Sequence, residues 1–128
     1  MISTATSRVL ACTVAHLESA YTLACRAAGS DLLSPWANTA MSIHLASAGL
    51  GVHLRAGVLT AGHRDCLTAL RAAQAELTRL PADHGLPLLD LAMLRRSLAH
   101  ALADAERLQA WSCRFRRRGP RRPRHHAR

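Results

Sequence analysis

The chain has 128 residues, of which 49% are hydrophobic, 20% are charged and 3% are aromatic. This composition is typical of one globular domain and excludes a disordered or low-complexity chain. The segment that comes closest to a membrane-spanning run covers residues 45–62, but it contains His53 and Arg55. A membrane partner is therefore not expected.

Charge is the most unevenly distributed property of the sequence. The formal net charge is +9, and all 17 basic residues other than histidine are arginine. Residues 1–113 contain nine arginines and eight acidic residues, whereas residues 114–128 contain eight arginines and no acidic residue. The sequence therefore predicts a near-neutral domain over residues 1–113 and a disordered basic tail over residues 114–128. The absence of lysine is typical of a GC-rich, bacterial genome, so codon usage is a second explanation for the arginine runs.

The first predicted helix covers residues 4–28. Leu10, Val14, Leu17 and Tyr21 recur at intervals of three and four residues, which places them along one narrow apolar face. Gly29 follows this helix, and glycine readily adopts the left-handed conformation that ends a helix.

The second predicted helix begins at Ser34-Pro35, because serine is a good N-cap and proline fits the first helical turn. Four glycines then fall within residues 49–62, and each disfavours a helix by about 0.8–1.0 kcal/mol relative to alanine. We expect a break or bend in this region. The favoured interpretation is that the glycines let another helix pack closely. The other is that the region lines a ligand site or forms a hinge.

The third predicted helix covers residues 61–80 and the fourth covers residues 88–112, with a turn containing proline and glycine between them. No segment alternates with period two, so no strand is expected. Because short connections favour antiparallel neighbours, the predicted fold class is an all-α antiparallel bundle of three to four helices, most simply in up-down order. If the second helix fails at its glycines, a second copy or another protein would cover the apolar seam left on the remaining helices.

The four cysteines are too widely spaced for a disulfide framework, so free thiols and a reducing, cytoplasmic location are expected. Two cysteines lie at helical spacing from a histidine, as Cys12-His16 and His63-Cys66, and two such pairs can form a tetrahedral zinc site. Helical periodicity places Cys12 and His16 away from the core face of the first helix, whereas Cys66 points into the core. We therefore expect no cofactor, with zinc as the minor alternative, and we expect His16 to be a surface residue.

The sequence contains no arrangement typical of a catalytic site. The Glu-x-x-His motifs of di-iron bundles are absent, as are phosphate-binding glycine loops and zincin motifs. A helix-turn-helix reader with a recognition helix opening at His63 is a weak match, because that helix also carries Asp65 and Glu76. The chain is therefore expected not to be an enzyme.

The basic tail supplies the candidate binding site. Arginine can bind a phosphate through two parallel hydrogen bonds, while Gly119, Pro120 and Pro123 prevent the continuous amphipathic helix that binds membranes. The candidate polyanion-binding residues are Arg114, Arg116, Arg117, Arg118, Arg121, Arg122, Arg124 and Arg128.

The sequence thus predicts a small helical adaptor or regulatory protein. It would contact a protein partner, or a second copy of itself, through its helix seams, and nucleic acid or another polyanion through its tail. The alternative is a bundle that binds a small molecule or a metal, near residues 49–62 or through the cysteine-histidine pairs.

Overall fold

The computed structural model describes residues 3–51 and 62–118. Within these residues the chain forms four helices and no strand, so the predicted all-α fold is confirmed. The helices are α1 (Thr4–Ala28), α2 (Pro35–Gly51), α3 (Cys66–Leu77) and α4 (Leu88–Arg118).

Local signals fix the ends of α1 and the start of α2. The Thr6 backbone N–H donates to the Ser3 hydroxyl at 3.1 Å, which caps α1. Gly29 ends α1 with a φ of 62°, and its N–H donates to the Cys25 carbonyl at 3.0 Å. The Trp36 N–H donates to the Ser34 hydroxyl at 3.2 Å, so Ser34 begins α2 as predicted.

Three helix boundaries differ from the prediction, one of which is the end of α3, at Leu77 and not at residue 80. Helix α3 begins five residues later than expected, because the Asp65 carboxylate accepts the Thr68 N–H at 2.8 Å and makes Asp65 the N-cap. Helix α4 continues through Arg118, beyond the predicted end near residue 112, so residues 114–118 belong to the helix and not to a tail. The first helix breakers after Leu88 are Gly119 and Pro120. Residues 119–128 lie outside the described part of the chain.

The four helices form a ring in which α1 and α4 each contact both α2 and α3. Over the described residues, the pairs α1/α4 and α2/α3 lie on the diagonals and make no contact. The start of α2 and the end of α4 line one cleft, and the end of α2 and the start of α4 line another, so these two helices are antiparallel. Arg71 of α3 lies 3.9 Å from Glu106 of α4, between Nη2 and Oε1.

The helix order differs in one respect from the simplest up-down arrangement, since the consecutive helices α2 and α3 are not neighbours. Fourteen residues separate them, against six between α1 and α2 and ten between α3 and α4. Long connections are the condition under which bundles depart from sequential packing.

The core consists mainly of leucine and alanine. Leu10, Leu17, Ile43 and Leu70 are fully buried, and truncating such a side chain to alanine typically costs about 2–5 kcal/mol. The buried threonine hydroxyls have local partners: those of Thr13 and Thr39 donate to carbonyls of their own helices, and that of Thr6 accepts from the Ser3 hydroxyl at the N-cap. Among the described residues, the buried core contains no aromatic side chain.

Candidate functional site

The carboxyl-terminal half of α4 holds the first candidate polyanion-binding residues. Arg114 is exposed, and the helix backbone continues through Arg116, Arg117 and Arg118. A helix C-terminus favours cationic side chains, because the peptide dipoles leave partial negative charge there. The other four candidates, Arg121, Arg122, Arg124 and Arg128, lie outside the described residues.

Arg114 lines a cleft of about 590 Å³ between the end of α4 and the start of α2. Arg107 and Trp111 line the same cleft, and their spacing of four and three residues places all three on one face of α4. Pro35 and Asn38 form the opposite wall. Trp111 is 63% exposed, so it does not cap the core but presents most of its ring at the surface.

Arg107 and His100 lie beside the same acid. The Asp104 carboxylate contacts the Arg107 guanidinium, and its other oxygen lies 3.8 Å from His100 Nε2. Asp104 thereby offsets the charge of Arg107 inside the cleft. Among the described residues, no acidic side chain forms an ion pair with Arg114.

Sequence reasoning missed the contribution of Arg107 and Trp111 to this face. It placed the site boundary at the change in charge after residue 113, whereas the helix carries the same face across that boundary. The i, i+4, i+7 spacing of Arg107, Trp111 and Arg114 was the available signal.

The second candidate feature is a pair of histidines. His16 Nδ1 of α1 lies 2.8 Å from Nε2 of His63, which precedes α3, and the two ring centroids are 4.9 Å apart. His16, predicted to be a surface residue, is half-buried by this contact and keeps part of its surface exposed. The prediction assumed a single packed face on α1, but α1 contacts α2 on one side and α3 on another.

The hydrogen bond between the two histidines forms only when one ring nitrogen carries a proton to donate and the other is free to accept it. Burial lowers the pKa of His16 below its ordinary value of 6.5, and His63 lowers it further, while Glu76 acts in the opposite direction. The pair is therefore most stable with at least one ring neutral.

The cysteines do not extend this pair into a metal site. No group of three or more histidine, cysteine or acidic side chains in the described residues is arranged to hold a metal ion. Cys66 is buried, and its burial raises the pKa of its thiol to about 12, so it stays protonated at neutral pH. Cys12 is half-buried one turn before His16.

The glycine-rich region is only partly described, since residues 52–61 lie outside the described part of the chain. Helix α2 includes Gly49 and ends at Gly51. A Cβ atom placed on Gly49 or Gly62 would meet no atom within 4 Å, so close packing does not explain these two glycines. Instead, Gly49 lines an open groove between α2 and α4.

Comparison with known proteins does not assign the chain to a family. No family model, no curated protein and no solved structure matches the chain. Along the described residues, none of the helices combines the length and the apolar character that crossing a membrane requires.

Proposed function

We propose that this chain is a non-enzymatic interaction protein that binds nucleic acid through the end of α4 and the arginines that follow it. The observation that carries the proposal is the separation of charge along the chain. Residues 114–128 contain eight arginines and no acidic residue, and α4 holds the first of them on the same helix as Trp111.

The exposed chemistry suits a single strand. Arginine side chains neutralise phosphates and release bound counterions, and an exposed indole offers a surface on which a base stacks. Trp111 and Arg114 lie on one helical face and supply both kinds of contact within a single turn. Asp104 repels phosphate from the inner part of the cleft, so the strand is expected to follow the outer end of α4.

The test is a fluorescence-anisotropy titration of the full chain with labelled single-stranded DNA and RNA over a series of salt concentrations. Binding should weaken steeply with salt, with a slope of about −0.7 in log K against log salt for each phosphate neutralised on a single strand. An absence of salt-dependent binding would remove the basis of the proposal. Binding to anionic vesicles but not to nucleic acid would assign the arginines to a membrane surface instead.

Two double variants on α4 distinguish binding at a defined site from attraction to the net charge of the protein. Arg117→Gln/Arg118→Gln removes two arginines from the proposed site, and Arg95→Gln/Arg96→Gln removes two exposed arginines nearer the start of the same helix. The first should lower the magnitude of the salt slope by about 1.4, and the second should leave it unchanged. Equal losses would mean that net charge alone controls binding.

Base stacking has its own readout, because Trp111 and Trp36 are the two tryptophans of the chain. In the Trp36→Phe variant, single-stranded DNA should quench the remaining fluorescence of Trp111. In the Trp111→Phe variant, the half-buried Trp36 should show no quenching. Quenching that follows Trp36 would place the strand elsewhere.

The alternative function, binding of a metal or small molecule, has one supporting observation in the contact between His16 and His63. Two imidazoles supply half of a tetrahedral zinc site. Stoichiometric zinc in the purified full chain, lost in the His16→Gln variant, would favour this alternative over nucleic-acid binding.

A further inference from the structure

Helix α2 is unusual for an outer helix of a bundle, since none of its 17 residues carries a formal charge. Met41 and Leu45 lie one turn apart and are 58% and 62% exposed, and Ala48 continues the same exposed face. These three residues form what we term the α2 ridge. Asn38 and His44 are exposed beside the ridge, but the ridge itself places apolar side chains where an outer helix normally presents charged ones.

An open groove runs beside the α2 ridge, between α2 and α4. It has a volume of about 450 Å³ and is lined mainly by apolar side chains, with Asp90, Ser97 and the backbone of Gly49 also in its wall. Met93 forms the far wall and is 60% exposed, and Leu89, one turn earlier on α4, is 70% exposed. The lining residues of the groove include Leu45, Leu50, Leu91, Met93 and Leu94.

The apolar surface continues on the other side of the ridge. Met41 also lines a second cleft of about 450 Å³, between α1 and α2, together with Tyr21 and Leu32 and with the polar side chains of Asp31, Asn38 and His44. Tyr21 and Leu32 are both exposed. The ridge therefore separates two clefts on one continuous face of the molecule, which we term the α2 face.

We propose that a second copy of this chain covers the α2 face, with the α2 ridge of each copy seated in the groove of the other. A two-fold interface must be complementary to itself, so one surface has to contain both a projection and a recess. The α2 face meets this requirement, because the ridge and the groove share Leu45 as their common edge.

Charge and area support the same occupant. Because α2 carries no formal charge, seating the ridge of one copy in the groove of the other places no acidic α2 side chain against Asp90, the charged residue that lines the groove. Six exposed apolar side chains, at about 100 Å² each, give about 600 Å² per copy, which is the lower limit for a stable standard interface of about 1,200 Å² in total. The six are Tyr21, Leu32, Met41, Leu45, Leu89 and Met93.

This inference names a second copy as the protein partner that the sequence predicts, and it does not depend on nucleic-acid binding. The test is sedimentation equilibrium of the full chain at high salt without nucleic acid. The expected result is a concentration-dependent monomer-dimer equilibrium. A monomer at every attainable concentration would overturn the proposal, and a monomer that instead bound neutral lipid vesicles would identify a lipid surface as the occupant.

A matched pair of variants locates the interface. Ala48 lies on the α2 ridge in the last turn of α2, and Ala75 is also exposed, in the last turn of α3, diagonally across the bundle. Ala48→Glu would bury an unpaired charge and should weaken dimerisation by about 100-fold or more, whereas Ala75→Glu should leave it unchanged. Equal effects, or a dimer that persists in Ala48→Glu, would place the contact elsewhere.

Two controls keep the result interpretable. Both alanines are exposed and glutamate is a good helix former, so both variants should retain the helical circular dichroism of the unmodified chain. If Ala48→Glu loses helicity, Leu45→Gln provides a second test without a new charge, since it shortens the apolar ridge at an exposed position. The Arg117→Gln/Arg118→Gln variant should still dimerise, so failure of nucleic-acid binding and failure of dimerisation remain distinguishable.

Discussion

Helix α3 depends strongly on the single side chain that caps it. It has only 12 residues, and isolated helices of that length are marginal in water. Asp65 has an extended backbone, and its carboxylate accepts the Thr68 N–H at 2.8 Å. A hydrogen bond from the Gln109 side chain adds a contact to α4. Asp65→Ala removes both bonds at the point where the chain enters the helix.

The expected cost of Asp65→Ala is about 1–2 kcal/mol, the upper half of the range for loss of an N-cap side chain. This cost should exceed the mean for an N-cap, because the hydrogen bond has a charged acceptor. It should stay below the cost of losing a bond to a buried charge, because Asp65 is partly exposed. Asp65→Asn keeps a cap acceptor and should cost less. Urea unfolding followed by circular dichroism measures both, at one fixed protein concentration because association would shift the midpoint.

Acid pH provides an independent check on the cap. The hydrogen bond from Thr68 is the main cause that lowers the pKa of Asp65 below 3.8. A lowered carboxyl pKa stabilises the fold above pH 3.8, and this contribution is lost as the pH falls through the lowered value. The difference between Asp65→Ala and the unmodified chain should therefore shrink in acid. If Asp83→Ala, in the exposed turn after α3, costs as much at neutral pH, the capping argument is refuted.

Three further outcomes can be checked on the purified chain. At concentrations that keep the chain monomeric, Gly49→Ala should stabilise it by about 0.5–1 kcal/mol in thermal unfolding, because a Cβ there meets nothing within 4 Å in the single chain; destabilisation of the monomer would contradict the open groove, whereas weaker dimerisation would show that the second copy fills it. Stability should fall as the pH drops from 6.5 through the lowered pKa of His16, and His16→Gln, which loses the contact with His63, should flatten that slope. An alkylating reagent should modify the exposed Cys113 in the folded chain but reach Cys66 only after unfolding.

The helix ends that a single residue determines were the features most readily predicted from the sequence. Gly29 ends α1 and Ser34 begins α2 because each acts through its own conformation or hydroxyl, and both were predictable. The end of α4 was misplaced for a physical reason. The change in net charge after residue 113 was read as a structural boundary, yet arginine is a good helix former and α4 continues to Arg118.

Tertiary features were harder to predict, because the periodicity of one helix does not say how many neighbours it has. His16 was assigned to the surface from its angle to Leu10, but α1 lies against two helices and the second of them brings His63 within 2.8 Å. Likewise, a glycine pattern cannot distinguish close packing from an open groove. At Gly49 only the position of α4 decides between them.

The proposed dimer and the proposed nucleic-acid site are separate surfaces, and their coexistence has a measurable consequence. A dimer carries two arginine segments, and once one segment binds a strand, the second binds it as an intramolecular event. A strand of about 40 nucleotides can engage both segments, whereas one of about 8 nucleotides offers room for one, given site sizes of about 4–16 nucleotides.

Ala48→Glu should therefore reduce the affinity for the long strand by up to about 100-fold and leave the affinity for the short strand unchanged. Ala75→Glu, diagonally across the bundle, should change neither. Equal losses on both strands would show that the substitution had disturbed the arginine site itself. If the Ala48→Glu variant is monomeric and its affinity for both strands is unchanged, the two arginine segments of a dimer cannot bind one strand together. The ends of the two α4 helices would then lie too far apart for joint binding.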